Sequence, residues 1–431
     1  MSQIDWQAVK SRARELDEAD SLAQWRDHFY LKPGTVYLDG NSLGLQSREA
    51  EASLQRVLSE WREAGIDGWG GGERPWFDLS EQLALSLSRL VGAKPQEVIP
   101  TGSTTVNLHH LLATFYRPTA DRRVLLVDEL NFPSDLYAAR SHIELHGGDP
   151  ERDLRVVRGQ GGQLRVADIL EALDDKVAVA VFSSVLYQSG QWLPTRQLAD
   201  RAHQVGAMLG LDLSHAIGAV PHALHEDGVD FAFWCHYKYL NAGPGAVAGL
   251  FVHERHFDRS PGLAGWWGSD KERQFDMSPT HLPATGAGRW QIGTPHLLSL
   301  APLEGALAIY EGAGLQALRE KSLSLTRFLM ALIDRIDEAS SGRAGYVIAT
   351  PRADDQRGGH VAIRHREATR IAKALKARGI IPDFRPPDLL RLAPVPLYTR
   401  FIDVAEAAQA LADIVTTGAY KGFSEGRDVI A

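Results

Sequence analysis

A single lysine, Lys238, lies among aromatic residues in the stretch FWCHYKYLNAGPG at residues 233–245. Burial of an ammonium group is costly unless the charge is paired or the group loses its proton. A partly desolvated lysine can become a neutral amine, and a neutral amine can condense with a carbonyl group. The surroundings of Lys238 therefore favour covalent chemistry at its amine over a role on the surface.

Polar side chains also lie at the ends of two of the predicted strands. Ser183 is at the end of one, and Asp212 and His215 are in the segment DLSH at the end of the other. Ligands of open α/β sheets bind beyond the carboxyl ends of the strands, so we expect these side chains near Lys238. Pyridoxal phosphate offers an aldehyde to the lysine, and its ring nitrogen needs an anionic partner such as Asp212. Plainer alternatives remain, because an Asp at a strand end is more often a cap or turn former, and His215 could be structural.

The segment IPTGSTTVNLHH, residues 99–110, offers a site for a phosphate group. It leads from a predicted strand through a glycine and a serine into a helix that begins with Thr104 and Thr105. Backbone N–H groups at a helix N-terminus bind a dianion well, although Ser and Thr are also ordinary capping residues. Phe132 follows another predicted strand and could stack on a planar ring, whereas an aromatic residue at such a position is more often part of the core.

The elements that would position these side chains alternate in type between about residue 50 and residue 260. Valine-rich strands that alternate with helices indicate a mostly parallel sheet covered on both faces. The predicted strands are residues 123–130, 177–185, 208–215, 231–240 and 248–254, and the predicted helices are 79–93, 104–116 and 196–206. After about residue 295 two long helices, and then short strands around helices 365–379 and 401–419, predict a smaller α+β domain.

The composition excludes several classes of protein. The chain has 431 residues, enough for two or three domains, and its formal net charge of −8 argues against a nucleic-acid-binding surface. Cys235 is the only cysteine, so no disulfide can form within the chain, which fits a reducing cytoplasm. We expect no signal peptide and no membrane-spanning segment. His222 and His225 could share a helical face, but no third ligand has a suitable spacing, so no metal is expected.

Four stretches, DLSHAIG, FWCHYKYLNAGPG, GWWG and LAPVPLY, together resemble the kynureninase family, whose members are pyridoxal-phosphate enzymes of the class V aminotransferase group. The resemblance extends from YLDGNSLG at residues 37–44 to RLAPVPLYTRF at residues 391–401. It implies the type I fold of these enzymes, in which a large α/β domain surrounds a mostly parallel seven-stranded sheet and a smaller α+β domain follows. We expect the large domain at residues 46–300, and the smaller domain to combine residues 1–45 with residues 301–431.

The resemblance also implies roles for individual residues. Lys238 would bond to the cofactor's aldehyde, Asp212 would pair with the ring nitrogen, and Tyr237 would contact the phosphate and donate a proton. Arg391 would clamp the α-carboxylate of the substrate, and Trp69, in a glycine-rich loop, would lie on the substrate side. The other cofactor-binding residues implied by the resemblance are Thr104, Thr105, Phe132, Pro133, Ser134, Asp135, Ser183, His215, Trp266 and Thr294.

The implied reaction is hydrolytic cleavage of the Cβ–Cγ bond of L-kynurenine to anthranilate and L-alanine, in tryptophan catabolism and the kynurenine pathway related to NAD. Trp266 and Thr294 match positions that reach the cofactor of a neighbouring subunit, which implies a homodimer. Trp69 and Thr294 stand where members that prefer 3-hydroxy-L-kynurenine have His and Asn, which implies weaker activity on that substrate.

Two alternatives have different sequence requirements. A cysteine desulfurase or selenocysteine lyase of the same class needs a catalytic cysteine on a mobile loop, whereas Cys235 lies within a predicted strand. A non-catalytic scaffold of the same fold has no physical need for a lysine in apolar surroundings together with Asp212 and Arg391.

Overall fold

The structure is a computed structural model that describes residues 4–426. Its helices are α1 (Trp6–Glu18), α2 (Arg48–Ala64), α3 (Leu79–Val91), α4 (Thr104–Phe115), α5 (Pro133–Leu145), α6 (Pro150–Asp153), α7 (Val166–Ala172), α8 (Thr195–Gln204), α9 (Leu297–Ala313), α10 (Leu315–Ala339), α11 (Ala368–Lys376) and α12 (Phe401–Thr417). Its strands are β1 (Val36–Tyr37), β2 (Val98–Pro100), β3 (Val124–Asp128), β4 (Leu154–Val157), β5 (Val177–Ser183), β6 (Met208–Asp212), β7 (Phe231–Cys235), β8 (Ala248–Val252), β9 (Val347–Ile348), β10 (Val361–Arg364), β11 (Ile380–Ile381), β12 (Asp383–Arg385) and β13 (Leu389–Leu392). No helix within residues 4–426 is both long and apolar enough to cross a membrane.

A seven-stranded sheet in the order β2-β8-β7-β6-β5-β3-β4 confirms the predicted mostly parallel arrangement. In this sheet, β8 runs antiparallel to both of its neighbours, and the other pairs are parallel. Every residue of β3, β5, β7 and β8 is buried, as the valine-rich and aromatic sequences of these strands require. Because β3, β5, β6 and β7 run parallel to one another, their carboxyl ends meet at one edge of the sheet.

The predicted strand 231–240 is too long, because the pairing of β7 with β8 ends at Cys235. Beyond it, Asn241 adopts a left-handed conformation with a φ of 58°, which asparagine tolerates better than most residues. The N–H of Asn241 donates to the carbonyl of Lys238 at 3.0 Å, which closes a turn around the lysine. The apolar residues continue past the last residue of β7 that pairs with β8, because the residues of the turn pack into the core. Lys238 itself is half-buried.

A second, four-stranded antiparallel sheet in the order β12-β13-β10-β9 shares its core with α10, α11 and α12. Helix α1 packs against α12, and β1 pairs with β11, so the N-terminal segment joins this second core. The division into residues 46–300 and residues 1–45 with 301–431 stays a prediction, and Leu22 and Phe29 of the N-terminal segment are part of the core around the large sheet. Residues 1–3 and 427–431 of that division lie outside the described residues.

Candidate active site

Lys238 and His215 are in direct contact at the carboxyl edge of the large sheet. The Nζ atom of Lys238 lies 3.1 Å from Nε2 of His215. Burial, together with the charges of Lys238 and Arg391, lowers the pKa of His215 well below its usual value, so its ring is neutral. The buried Nδ1 of this ring has no hydrogen-bond partner among residues 4–426. A neutral imidazole that accepts at Nε2 carries its proton on Nδ1, so His215 offers an unpaired donor next to the lysine.

Two buried carboxyl groups, Asp212 and Asp135, lie near Lys238, whose charge acts on the pKa of both. Asp212 ends β6, and its Oδ1 accepts the N–H of Ser214 at 2.8 Å. Asp135 lies in the first turn of α5, and within the described chain its buried Oδ2 has no hydrogen-bond partner. Burial raises the pKa of both groups, and the charge of Asp212 raises that of Asp135 further. This arrangement stabilises an additional cationic group next to Asp212.

The N-termini of two long helices converge next to these carboxyl groups. The hydroxyls of Thr105 in α4 and Ser134 in α5 lie 2.7 Å apart. Neither helix has a side-chain cap at its N-cap residue, Ser103 or Phe132. The first N–H groups of both helices thus have no capping side chain, and the positive ends of both dipoles favour an anion. The predicted cofactor-binding residues Thr104, Thr105, Pro133 and Ser134 are all in these two first turns.

Phe132 lies at the edge of the site and not in the core. Its side chain is 46% exposed, and its ring centroid is 6.0 Å from Nζ of Lys238. Tyr187, which the sequence reasoning missed, packs edge-on against this ring at 5.6 Å between centroids. Ser183 ends β5, and its hydroxyl donates to Oδ1 of Asn131 at 2.7 Å. The exposure of Phe132 favours the prediction that it stacks on a planar ligand over the alternative of a core residue.

Tyr237 precedes the lysine and is half-buried. Its ring centroid is 5.8 Å from Nζ of Lys238, and its carbonyl accepts the N–H of Gly44 at 2.8 Å. Burial raises the pKa of Tyr237 far above its usual value. Its hydroxyl therefore keeps its proton at neutral pH, as a proton donor must.

Arg391 lies inside a polar cluster beside this site and is almost completely buried. Its Nε and Nη2 contact the same oxygen of Asp383, which lies opposite Arg391 in the β12–β13 pair. Its Nη1 donates to the carbonyl of Tyr187 at 2.6 Å, and its Nη2 donates to the hydroxyl of Ser42 at 3.2 Å. Sequence reasoning missed Ser42, Tyr187 and Asp383, although Ser42 lies within the YLDGNSLG stretch that carries the resemblance.

Trp69, Trp266 and Thr294 have neighbours other than the residues around the lysine. Trp69 and Trp266 each pack against Trp267, at 5.3 and 5.7 Å between ring centroids. Trp266 is 45% exposed and Thr294 is also exposed. Within residues 4–426, no hydrogen bond, ion pair or ring contact connects these three residues to the group around Lys238. A single chain therefore does not unite the full set of predicted site residues.

One group of side chains has the composition of a metal site. Glu97, His225 and His253 present ligand atoms within 4.8 Å of one another. Sequence reasoning paired His225 with His222 instead, because Glu97 and His253 are distant in the chain. Oε1 of Glu97 already accepts the N–H of Glu254 at 2.9 Å, and Nδ1 of His253 accepts a backbone N–H at 3.2 Å. Backbone hydrogen bonds thus occupy two of the three ligand atoms, which favours a structural role for this group.

Gly44 allows the close approach that holds the lysine turn. A Cβ atom at this position would overlap the carbonyl of Lys238 and lie 2.7 Å from Cα of Asn241. Gly44→Ala should therefore displace the turn that holds Lys238. A displacement of about 1 Å at a reacting group is expected to lower kcat/KM by about 100-fold. Steady-state kinetics and thermal melts check this expectation. Gly422→Ala is the control, because Gly422 lies after α12 and a Cβ there meets no atom within 4 Å; equal behaviour of the two variants would contradict the role of Gly44.

Asp128, at the end of β3, makes the stability depend on pH. Burial raises its pKa to about 7, whereas the pKa of an Asp in an unfolded chain is about 3.9. The folded state therefore keeps a proton that the unfolded state loses, and stability falls as the pH rises from about 4 to about 7, by roughly 4 kcal/mol in total. The side chain of Asp128→Asn does not ionise, so this variant does not lose stability in this way. Between about pH 5 and pH 8 the difference between its Tm and the Tm of the wild type should therefore change in favour of the variant by a few degrees.

Differential scanning calorimetry across this pH range measures the effect. Asp175→Asn is the control because Asp175 is exposed, and its Tm should follow that of the wild type at every pH. A difference between Asp128→Asn and the wild type that does not change with pH would contradict the raised pKa of Asp128.

Comparison with known proteins gives relatives along almost the whole chain. A family model described as the kynureninase C-terminal domain matches residues 318–411. The kynureninase of Geobacillus thermodenitrificans is 52% identical, with 97% of each chain covered. Those of Shouchella clausii and of a Bacillus cereus strain are 51% and 50% identical, with 98% and 99% of each chain covered.

Solved structures with low sequence identity have the same fold. A C-DES mutant with glycine covalently linked to its PLP cofactor superposes with a TM-score of 0.77 at 17% identity, over 90% of this chain and 99% of that chain. The apo cysteine desulfurase of Thermococcus onnurineus gives a TM-score of 0.75 at 16% identity, over 91% and 98% of the two chains. These likenesses confirm the predicted type I fold.

Proposed function

Because the chain belongs to the kynureninase family, we propose that it cleaves L-kynurenine hydrolytically to anthranilate and L-alanine. The observation that carries the proposal is the position of Lys238 at the carboxyl edge of the sheet, in contact with the neutral His215 and within electrostatic range of the carboxyl group of Asp212. A half-buried amine with a neutral hydrogen-bond acceptor and a carboxyl group nearby suits reversible covalent bonding and proton transfer.

The residues of the site fit pyridoxal phosphate. The two uncapped helix N-termini suit its phosphate, and the buried carboxyl groups of Asp212 and Asp135 suit a protonated ring nitrogen. When bound, this cofactor withdraws electrons from the substrate's α-carbon and so stabilises negative charge there. The proposed cofactor-binding residues are Thr104, Thr105, Phe132, Pro133, Ser134, Asp135, Ser183, Asp212, His215, Tyr237 and Lys238, with Trp266 and Thr294 from a second chain.

The chain's own residues divide the remaining work. We assign to the amine of Lys238 the removal of the substrate's α-proton, since His215 next to it is neutral and can accept a hydrogen bond from the lysine. Tyr237 holds a proton at its hydroxyl and delivers it to the three-carbon fragment that becomes alanine. Arg391 is proposed to hold the α-carboxylate, because a guanidinium donates charge-assisted hydrogen bonds to a carboxylate. Trp69 is proposed to contact the aromatic part of the substrate.

Anthranilate fluorescence tests the proposal directly. The purified protein with pyridoxal phosphate should release anthranilate from L-kynurenine, and it should release 3-hydroxyanthranilate from 3-hydroxy-L-kynurenine with a lower kcat/KM. Release of alanine from L-cysteine, with sulfide set free by added dithiothreitol as the reductant, would instead favour a desulfurase. That alternative is not favoured, because Cys235, the only cysteine of the chain, is buried inside β7 and does not lie on a loop. Failure to cleave either kynurenine would contradict the proposal.

We further propose that the protein acts as a homodimer whose sites lie at the interface. Besides Trp266, the segment before α9 exposes Phe275 and Met277, and such grouped apolar side chains mark association surfaces. Within the described residues, Trp266 and Thr294 have no hydrogen bond, ion pair or ring contact with the group around Lys238 of their own chain, which is explained if they serve the site of the other subunit.

The reducing cytoplasm is the proposed location of the protein. Cys235 is the only cysteine of the chain and is buried, so no disulfide within the chain stabilises the fold. A chain whose stability does not depend on a disulfide suits a compartment that keeps thiols reduced.

Mixing of two inactive variants tests the shared site. Lys238→Ala removes the lysine of one chain, and Trp266→Ala removes the side chain that we assign to the other. A dimer with one chain of each kind has one complete site, so the mixture should regain activity that neither variant has alone. Sedimentation should give a mass of two chains. No regained activity, after exchange of subunits is verified, would contradict sites shared between chains.

A further inference from the structure

Two arginines share the polar cluster beside the proposed active site, and they differ in how many donors they have free. The contacts of Arg391 with Asp383, Tyr187 and Ser42 occupy its Nε and Nη2 and one N–H of its Nη1. Its side chain is only 1% exposed. Arg391 alone therefore has little capacity left to hold a carboxylate with two parallel hydrogen bonds.

Arg385, at the end of β12, has the free donors that Arg391 lacks. Its Nη2 lies 3.3 Å from Oδ1 of Asp383 and 3.4 Å from the hydroxyl of Ser42, so both guanidinium groups meet the same two partners. Among residues 4–426, its Nε and Nη1 have no hydrogen-bond partner. The side chain is 33% exposed, so part of it is open to a small ligand.

The charge of Arg385 acts on the groups around the lysine. Burial lowers the pKa of His215, and the nearby cations, Arg385 among them, lower it further. Burial raises the pKa of Tyr237, and Arg385 opposes that rise. Arg385 therefore lies within electrostatic range of both residues that flank Lys238.

Only one carboxylate of the described chain, that of Asp383, contacts the two guanidinium groups directly. Asp39 lies next to this cluster, and burial and the charge of Asp383 raise its pKa to about 6, but among residues 4–426 no hydrogen bond or ion pair joins it to either arginine. A carboxylate from a ligand can therefore accept charge-assisted hydrogen bonds from the free donors of Arg385.

We propose that Arg385 binds the α-carboxylate of the substrate together with Arg391, with Asp383 holding the two guanidinium groups side by side. This inference rests on the proposed function, because it takes an amino acid as the substrate. Arg391 supplies its remaining N–H from the buried side, and Arg385 supplies Nε and Nη1 from the exposed side. Sequence reasoning assigned the carboxylate to Arg391 alone.

Two fragments of the substrate distinguish binding of the α-carboxylate by Arg385 from a general effect of this residue on the site. L-Alanine carries the α-carboxylate without the aryl ketone, and 2-aminoacetophenone carries the aryl ketone without the carboxylate. Isothermal titration calorimetry of the cofactor-loaded protein gives a Kd for each fragment. The variants are Arg385→Gln, Arg385→Lys and the control Arg364→Gln, since Arg364, in β10 of the same sheet, has a similar exposure of 31% and an ion pair with Asp388.

Arg385→Gln is expected to raise the Kd of L-alanine about 10-fold or more, because charge-assisted hydrogen bonds are lost. The Kd of 2-aminoacetophenone should change by less than about twofold, and Arg364→Gln should change neither Kd by more than that. Arg385→Lys should lie between wild type and Arg385→Gln, since a lysine keeps the charge but not the planar fork.

An unchanged Kd of L-alanine in Arg385→Gln would overturn the inference, as would an equal loss of affinity for both fragments. Thermal melts accompany each titration, and a variant that does not fold is replaced by Arg385→Lys as the decisive comparison. The proposed function fails separately, when the wild-type protein releases no anthranilate from L-kynurenine.

Discussion

Lys238→Ala is expected to lower the release of anthranilate from L-kynurenine by about 10⁴-fold or more, because one residue supplies both the covalent bond to the cofactor and the base. His215 cannot replace it as a base of similar strength, since burial lowers the pKa of that histidine well below its usual value. Fluorescence of anthranilate measures the loss. Treatment with borohydride followed by mass spectrometry of peptides should locate reduced cofactor on Lys238 in the wild type.

Lys176→Ala is the control for this substitution, because Lys176 is exposed and lies at the opposite end of β5. It should keep wild-type activity and wild-type labelling by borohydride. Labelling of another lysine, or turnover by Lys238→Ala within about tenfold of the wild type, would contradict the assignment of Lys238.

Asp212→Asn is expected to lower kcat by about 100-fold or more, because the substitution removes the negative charge that favours a protonated cofactor ring. Asp212 takes this role before Asp135, since burial and then the charge of Asp212 raise the pKa of Asp135 well above its usual value. An asparagine resembles a protonated carboxyl group in shape. Asp135→Asn should therefore cost less activity than Asp212→Asn, which makes it the matched comparison for a buried carboxyl group.

Steady-state kinetics of both variants, each saturated with pyridoxal phosphate, decide the point. Similar losses in the two variants would show that the two carboxyl groups contribute equally, against the leading role of Asp212. Near-normal turnover of Asp212→Asn would remove Asp212 from the chemistry.

Sequence alone predicted the residues that lie at the ends of neighbouring parallel strands. Ser183, Asp212 and His215 follow runs of apolar residues, and strand order brings their side chains to the same edge as Lys238. The ends of the strands were less certain, because apolar residues continue into the turn after β7. A turn that packs into the core has the same hydrophobic pattern as the strand before it.

The polar cluster around Arg391 could not be predicted from spacing. Ser42, Tyr187 and Arg385 come from three segments that are far apart in the chain, and only the folded structure joins them. The opposing positions of Asp383 and Arg391 depend on the register of a short strand pair, which local sequence does not determine. The resemblance pointed to Arg391 because it lies beside a distinctive motif, and it left Arg385 unmarked.

Separation of the products after complete conversion tests the central claim most directly. The protein, supplied with pyridoxal phosphate and a known amount of L-kynurenine, should yield equal amounts of anthranilate and L-alanine, and Lys238→Ala should yield neither. Unconsumed kynurenine, or consumption that gives products other than this pair, would contradict the claim that Lys238 and its neighbours cleave the Cβ–Cγ bond.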